Sequence, residues 1–324
     1  MQRIKKSRIV KAVFAAFLIL VPIFFFQEKW QPGKAAKIVF LPKVKDETND
    51  FWMSIISGGQ SAAKEFDAEL IVLAPEIETD YKLQEKYVEE AIKLHADAVV
   101  ISPILYEEMT DTVRKVKEAG IKLVMMDSNL DESLEDCYVA TNNVDAGMQM
   151  GKKILDFIDE DSKIVIMSHV KDSSTAMERE QGLRKGLGPY EKNIVEVLYA
   201  NSDYEQAFRL TKELLERQSN ISLIAGTNLY STVGVSRAVR EMQMEDRVQI
   251  VGFDNDVEGI QYMEEGIIDA LIVQNPFNMG YLSVQKAVEL VRGHKVEPII
   301  YSDTEVITLE NIYDKENQKL LFPF

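Results

Sequence analysis

Short, almost wholly apolar runs alternate with amphipathic stretches along most of this chain. Apolar runs at residues 38–42, 70–73, 98–101 and 123–126 predict strands, and the periodicity between them predicts helices at 54–66, 82–94 and 107–119. The third helix stops at Gly120, a usual residue just past a helix C-terminus. The pattern then restarts, with strands at 163–167, 195–198, 223–225 and 249–253 and helices at 177–187, 204–218 and 231–242. A helix at 256–264, a strand at 270–274, a helix at 278–292 and a strand at 305–308 complete the series. Strands apolar on both faces and separated by helices belong to parallel sheets covered on both sides. Their crossovers are right-handed.

The two stretches match each other. Lys37-Ile38-Val39-Phe40 corresponds to Lys163-Ile164-Val165-Ile166 at an offset of 126, Asp127 to Asp254 at 127, and Ile104-Leu105-Tyr106 to Asn228-Leu229-Tyr230 at 124. Three landmarks at nearly one spacing predict an α/β protein of two similar doubly wound parallel-sheet lobes. The expected boundaries are 37–141 plus 275–303 for the first lobe and 142–274 plus 304–324 for the second, with residues 1–36 apart. Several crossings between the lobes would form a hinge, and a cleft between lobes is a preferred ligand site.

Charge narrows the partners. The 324 residues carry a formal net charge of −16, and the five cations among the first eleven residues leave −21 for the rest. So acidic a body repels phosphate backbones, which argues against nucleic acid. The single cysteine, Cys137, excludes an intramolecular disulfide. The basic start is followed by an apolar run at 12–26, flanked by Lys11 and by Lys29-Trp30, with no Ala-x-Ala site close behind. That order suits a secretory signal or, as preferred here, an uncleaved membrane anchor with the N-terminus inside and the remainder outside the cytoplasm.

Candidate chemistry gathers at strand ends: Ser102-Pro103, Asp127-Ser128-Asn129 and Asp254-Asn255-Asp256. In open α/β sheets ligands sit beyond the carboxyl ends of the strands. These ends offer hydrogen-bonding side chains where a catalytic constellation would be expected. His95, His169 and His294 are scattered without the spacing of metal ligands, and 147–153 falls one residue short of a phosphate loop and lacks Ser or Thr after its lysine. Neither a metal nor a cofactor is expected. Met125, Met126, Met148 and Met150 read as core.

In order, Asn49-Asp50-Phe51-Trp52, Ser102-Pro103, Val124-Met125-Met126-Asp127, Thr141-Asn142-Asn143, Glu178-Arg179-Glu180-Gln181-Gly182, Thr227-Asn228, Val251-Gly252-Phe253-Asp254 and Gln274-Asn275-Pro276 run along the chain. This series resembles the type I periplasmic binding proteins of the ribose-, galactose- and xylose-binding group, over residues 37–308. The resemblance implies a sugar site of Phe51 and Trp52 as aromatic faces, Asp127 and Asp254 as acceptors of sugar hydroxyls, and Arg179 as a bidentate donor. Asn228 and Gln274 would add amides, Tyr204 a stacking ring, and Asn142 a hinge or ligand contact. Ribose binders carry an arginine after the first aspartate; Ser128 stands there instead, which points away from ribose. Repressors of the same fold carry a helix-turn-helix where this chain has its apolar run. The ending from Glu310 to Phe324 looks like a Gram-positive subset, some members of which stay anchored and signal to a histidine kinase rather than an ABC permease.

The sequence therefore predicts an extracytoplasmic, membrane-anchored binder of a monosaccharide, xylose or another aldose, with a permease or sensor kinase as partner. The rivals are an enzyme on a small sugar or nucleotide, a binder of a non-sugar signal, and an assembly protein with no small ligand.

Overall fold

The computed structural model describes residues 35–322; the apolar run at 12–26, and with it the expected anchor, lies outside them. Among the described residues no helix is long and apolar enough to cross a membrane.

The first sheet contains β1 (Ala36–Leu41), β2 (Ala68–Val72), β3 (Ala98–Ile101), β4 (Lys122–Met126), β5 (Cys137–Thr141) and β11 (Ile299–Ser302), in the spatial order β2-β1-β3-β4-β5-β11, all parallel. The second contains β6 (Ile164–Ser168), β7 (Ile194–Tyr199), β8 (Leu223–Gly226), β9 (Gln249–Phe253), β10 (Ala270–Val273) and β12 (Glu305–Ile307), ordered β7-β6-β8-β9-β10-β12. Only β12 runs antiparallel to its neighbour. The order is the same in both sheets, as the internal repeat predicts.

Alternation explains why the inner strands are almost wholly apolar; the edge strands β2 and β7 carry Glu69 and Glu196. In the first sheet Ile38, Phe40, Val100 and Val124 face one core, against α1 (Asp50–Glu65) and α9 (Pro276–Val291). Val39, Leu41, Ile101 and Met125 face another, against α2 (Tyr81–Lys93) and α3 (Thr110–Glu118). In the second sheet Val165, Met167 and Ile250 meet α6 (Tyr204–Arg217) and α7 (Leu229–Glu241). Ile166, Ala225 and Phe253 meet α4 (Asn143–Ile154) and α5 (Ser174–Leu187). Both faces being dry, period two gives no polar positions. Helices α4 and α5 touch backbone to backbone: a Cβ on Gly147 would run into the carbonyl of Arg179. That close approach sets where Arg179 stands.

The sequence reading omits β5, α4, β11 and the C-terminal helix α10 (Lys315–Leu321). β5 is a fully buried strand only five residues long, and α4 carries two glycines that weaken its helical signal. The expected helix at 54–66 starts earlier, at Asp50, because the Asn49 side chain accepts from the Trp52 N–H and caps it.

The chain passes between the sheets three times: β5 to α4, β10 to α9 and β11 to β12. Side chains of all three passages meet. Thr141 Oγ1 donates to Gln274 Oε1 at 2.6 Å and lies 3.4 Å from Ser302 Oγ. They tie the hinge into one hydrogen-bonded knot.

Candidate functional site

The carboxyl ends of the two sheets face each other. Asp127 follows β4 and Asp254 follows β9, each in left-handed backbone, with φ of 61° and 66°. Aspartate tolerates that region better than most residues. The equivalent geometry aims both carboxylates into the gap between the lobes, and both are buried.

From the first lobe come Lys43, just beyond β1, Glu78, and the start of α1. Lys43 Nζ lies 3.2 Å from Asp127 and 3.9 Å from Glu78, and 5.9 Å from the centre of the Trp52 ring. The Asp127 carboxylate also accepts from Ser102 Oγ at 3.0 Å and Ser128 Oγ at 2.9 Å. Burial pushes the Glu78 carboxyl above its ordinary range, and Lys43 offsets this in part. Phe51 and Trp52, held in the capped first turn of α1, meet edge to face with centroids 5.2 Å apart.

From the second lobe comes Arg179. Its Nε donates to Asn143 Oδ1 at 2.9 Å and its Nη1 to the Thr227 carbonyl at 2.8 Å, while its guanidinium sits 3.9 Å from the Phe253 ring centre. These contacts leave it no freedom of orientation. His169 lies between the hydroxyls of Thr227 and Thr175. Burial first, then the charges of Arg179 and Lys43, hold its pKa well below the usual value, so the ring is neutral. Asp254 accepts from Gln274 Nε2 at 2.6 Å. Burial lifts its carboxyl to about 6, against the opposing pull of Arg179.

The lobes are shut on one another. Tyr230 Oη donates to Asp46 at 2.8 Å, Lys43 Nζ to Thr175 Oγ1 at 3.3 Å, and the Asn129 N–H to Ser174 Oγ at 2.9 Å. Little space remains among the polar groups, about 20 Å³, room for roughly one water. Beside them a larger chamber of about 470 Å³ shares Phe51 and Asp254 with the polar cleft.

Of the residues singled out from the sequence, Phe51, Trp52, Asp127, Arg179, Asn228 and Asp254 come together in this cleft. Asn228 also caps α7, accepting from the Ser231 N–H. Gln274 sits at the hinge and reaches the cleft through Asp254. Tyr204 stands one layer back: its ring packs on Tyr230 with centroids 4.6 Å apart, and its hydroxyl donates to the Thr48 carbonyl. Asn142, expected as a hinge or ligand contact, stands at the first passage between the sheets and is not among the residues lining the cleft. It is exposed and caps α4 by accepting from the Asp145 N–H, and its neighbour Asn143 turns inward to Arg179. Sequence reasoning missed Lys43, Glu78, Thr175 and Tyr230. The offset repeat that aligns Tyr106 with Tyr230 was the one signal that touched any of these.

A family model described as a periplasmic binding protein domain matches residues 38–295. The chain belongs to the periplasmic binding protein family. Among relatives of this family, the ribose import binding protein of Haemophilus influenzae is 25% identical over 260 residues, covering 80% of this chain and 88% of that protein. A sugar transporter from Clostridium phytofermentans has 38% identity and a TM-score of 0.80, over 84% of this chain and 99% of that one. An ABC transporter solute binding protein from Agrobacterium vitis, solved with bound D-fucose, has 25% identity and a TM-score of 0.85, over 89% of this chain and all of that one. The two-lobed fold is that of the type I members of the family.

Proposed function

We propose that this protein binds a monosaccharide, an aldose such as xylose, between its lobes. One observation carries the reading: two carboxylates, Asp127 and Asp254, face each other across a cleft that also holds Arg179, Asn228 and the Phe51–Trp52 rings. A pyranose presents hydroxyls around its edge and C–H groups on its faces. Carboxylates, amides and a guanidinium match the first, and aromatic rings the second. Relatives whose names specify ribose import or bound D-fucose support the same class of ligand.

In the shut cleft polar groups of the two lobes bond each other, as in the Lys43–Thr175 pair. Opening at the knot of Thr141, Gln274 and Ser302 admits the sugar, and its hydroxyls take over such contacts on closure. Because the ligand touches both lobes only when they are closed, it shifts the population to the closed form. The closed surface then engages a membrane partner, an ABC permease or a sensor histidine kinase, outside the cytoplasm. The 12–26 run serves as the anchor that keeps the protein beside that partner. Ser128 stands where ribose binders are expected to carry an arginine, and Lys43 supplies the cation next to Asp127.

Calorimetric titration of the chain with aldoses, ketoses and polyols tests the reading. Saturable binding of one monosaccharide is expected, lost in both Arg179→Ala and Asp254→Ala. Absence of binding to every sugar would overturn it.

A further inference from the structure

We propose that the monosaccharide is taken as a glycoside, whose neutral, apolar substituent fills the chamber beside the polar cleft. The inference rests on the monosaccharide reading and extends it to a class of ligand. The chamber, about 470 Å³, lies between α1 of the first lobe, the 254–257 loop of the second, and the end of α10. An apolar cavity of about 150 Å³ already holds benzene in an engineered protein, so there is room for an aryl or short alkyl group.

Three observations point to this occupant. Phe51 and Asp254 line both spaces, so a sugar held at Asp254 has the chamber directly alongside. The chamber wall is mainly apolar, from Met53, Val257, Pro276, Leu320 and Phe322. Its charged lining residues are all acidic, Asp50, Asp254 and Asp256, so a phosphate or carboxylate substituent is repelled. The far side is closed by α10, whose Leu321 carbonyl accepts from Asn255 Nδ2 at 3.2 Å. The C-terminal helix is thereby pinned to the same loop that carries Asp254.

The chamber spans both lobes, so a substituent there adds contacts made only on closure. It raises affinity without touching the polar groups that read the sugar.

The test is calorimetric titration of the full chain with free D-xylose, D-ribose and D-fucose and with the methyl and phenyl glycosides of each, in both anomers. For at least one sugar the phenyl glycoside is expected to bind at least ten-fold more tightly than the methyl glycoside. Ser57→Trp, which fills the chamber from α1, removes that gain and leaves the free sugar within two-fold. Val257→Trp is a second filling variant at an exposed position on the rim, where folding is not at stake. If a free sugar binds and its phenyl glycosides bind no better than the methyl ones, the glycoside inference fails and the monosaccharide reading stands. If no sugar and no glycoside binds, the monosaccharide reading fails, and benzyl alcohol decides the chamber. A saturable thermal shift with benzyl alcohol that both tryptophan variants abolish keeps it as an apolar site; no shift overturns it.

Discussion

Asp127 and Asp254 occupy equivalent places in two copies of one topology, with the same backbone conformation and nearly the same burial, yet their neighbours differ. Asp127 is paired inside its own lobe, with Lys43 and two serine hydroxyls. Asp254 is held by Gln274, a residue of the hinge, and its carboxyl is pushed up to about 6. A repeated fold decides where a carboxylate goes; the side chains around it decide what it does. The first aspartate lies against a lysine of its own lobe. The second is able to take a proton near pH 6, and it is bonded to the passages that join the lobes.

Removing the cation from the first lobe should give the largest effect. Lys43→Met leaves Glu78 and Asp127 buried without their positive partner, and breaking a buried pair from one side costs about 3–5 kcal/mol. Chemical denaturation without sugar should show that loss. Glu78, already raised by burial, should then take up a proton, so the loss shrinks at acid pH and in Lys43→Met/Glu78→Gln. A change below 1 kcal/mol would mean that Lys43 is not the partner that defines this lobe.

Sugar affinity should compare the two carboxylates directly. A hydrogen bond to a charged acceptor contributes about 1.5–3 kcal/mol, so Asp254→Asn is expected to weaken binding roughly 10- to 150-fold. Asp127→Asn should weaken it too, with an added loss of stability from the unpaired Lys43. Calorimetry and denaturation on the same two variants separate these contributions. Equal stability losses in both would erase the distinction drawn here.

Much of this was legible in the sequence, and the reasons for what was not are physical. The strands could be read because sheets buried on both faces have no polar positions to confuse the pattern, as in Ala98–Ile101. The two aspartates could be found because a repeat puts them at matching strand ends. Lys43 could not. In Pro42-Lys43-Val44-Lys45 it reads as one more solvated cation, and only folding reveals that it is 1% exposed while Lys45 lies in the open. Glu78 and Thr175 meet it from segments 35 and 132 residues away, and no local periodicity encodes such a meeting. Asn142 and Asn143 show the limit at its finest: one rotates outward to cap α4 and the other inward to Arg179, a choice set by the helix start.

Acid titration sharpens the contrast with a smaller effect. The ordinary aspartate value is 3.8, and folded Asp254 holds its proton up to about 6. Between those limits the folded state binds more protons than the unfolded one, so this group makes stability fall as pH rises from 3.8 to about 6. A sugar that needs the carboxylate as acceptor behaves oppositely: its affinity should fall as pH drops below about 6, by at most about ten-fold per unit for one proton. Asp254→Asn should flatten the affinity profile. Part of the stability slope should survive in that variant, because burial lifts Asp256 to about 6 as well. An affinity slope unchanged in Asp254→Asn would assign the proton elsewhere, with Glu78 the first alternative.

The finest test touches neither carboxylate. Thr141 Oγ1 bonds Gln274, which bonds Asp254, so the first passage between the lobes is two hydrogen bonds from the site. Thr141→Val keeps the shape of the side chain and removes the hydroxyl. The lost bond is worth about 1 kcal/mol, and Gln274, freed at one end, holds Asp254 less firmly. Sugar affinity should drop about five-fold through faster dissociation, and the acid-side affinity slope should move toward higher pH as Asp254 loses part of its restraint from Gln274. The mirror experiment is Ser128→Ala, which removes one hydroxyl from Asp127 in the paired lobe. There Lys43 remains in place, so the dissociation rate should change less than in Thr141→Val. Equal changes would mean that the hinge passage carries no special coupling to the second aspartate, and that both carboxylates answer only to their nearest hydrogen bonds.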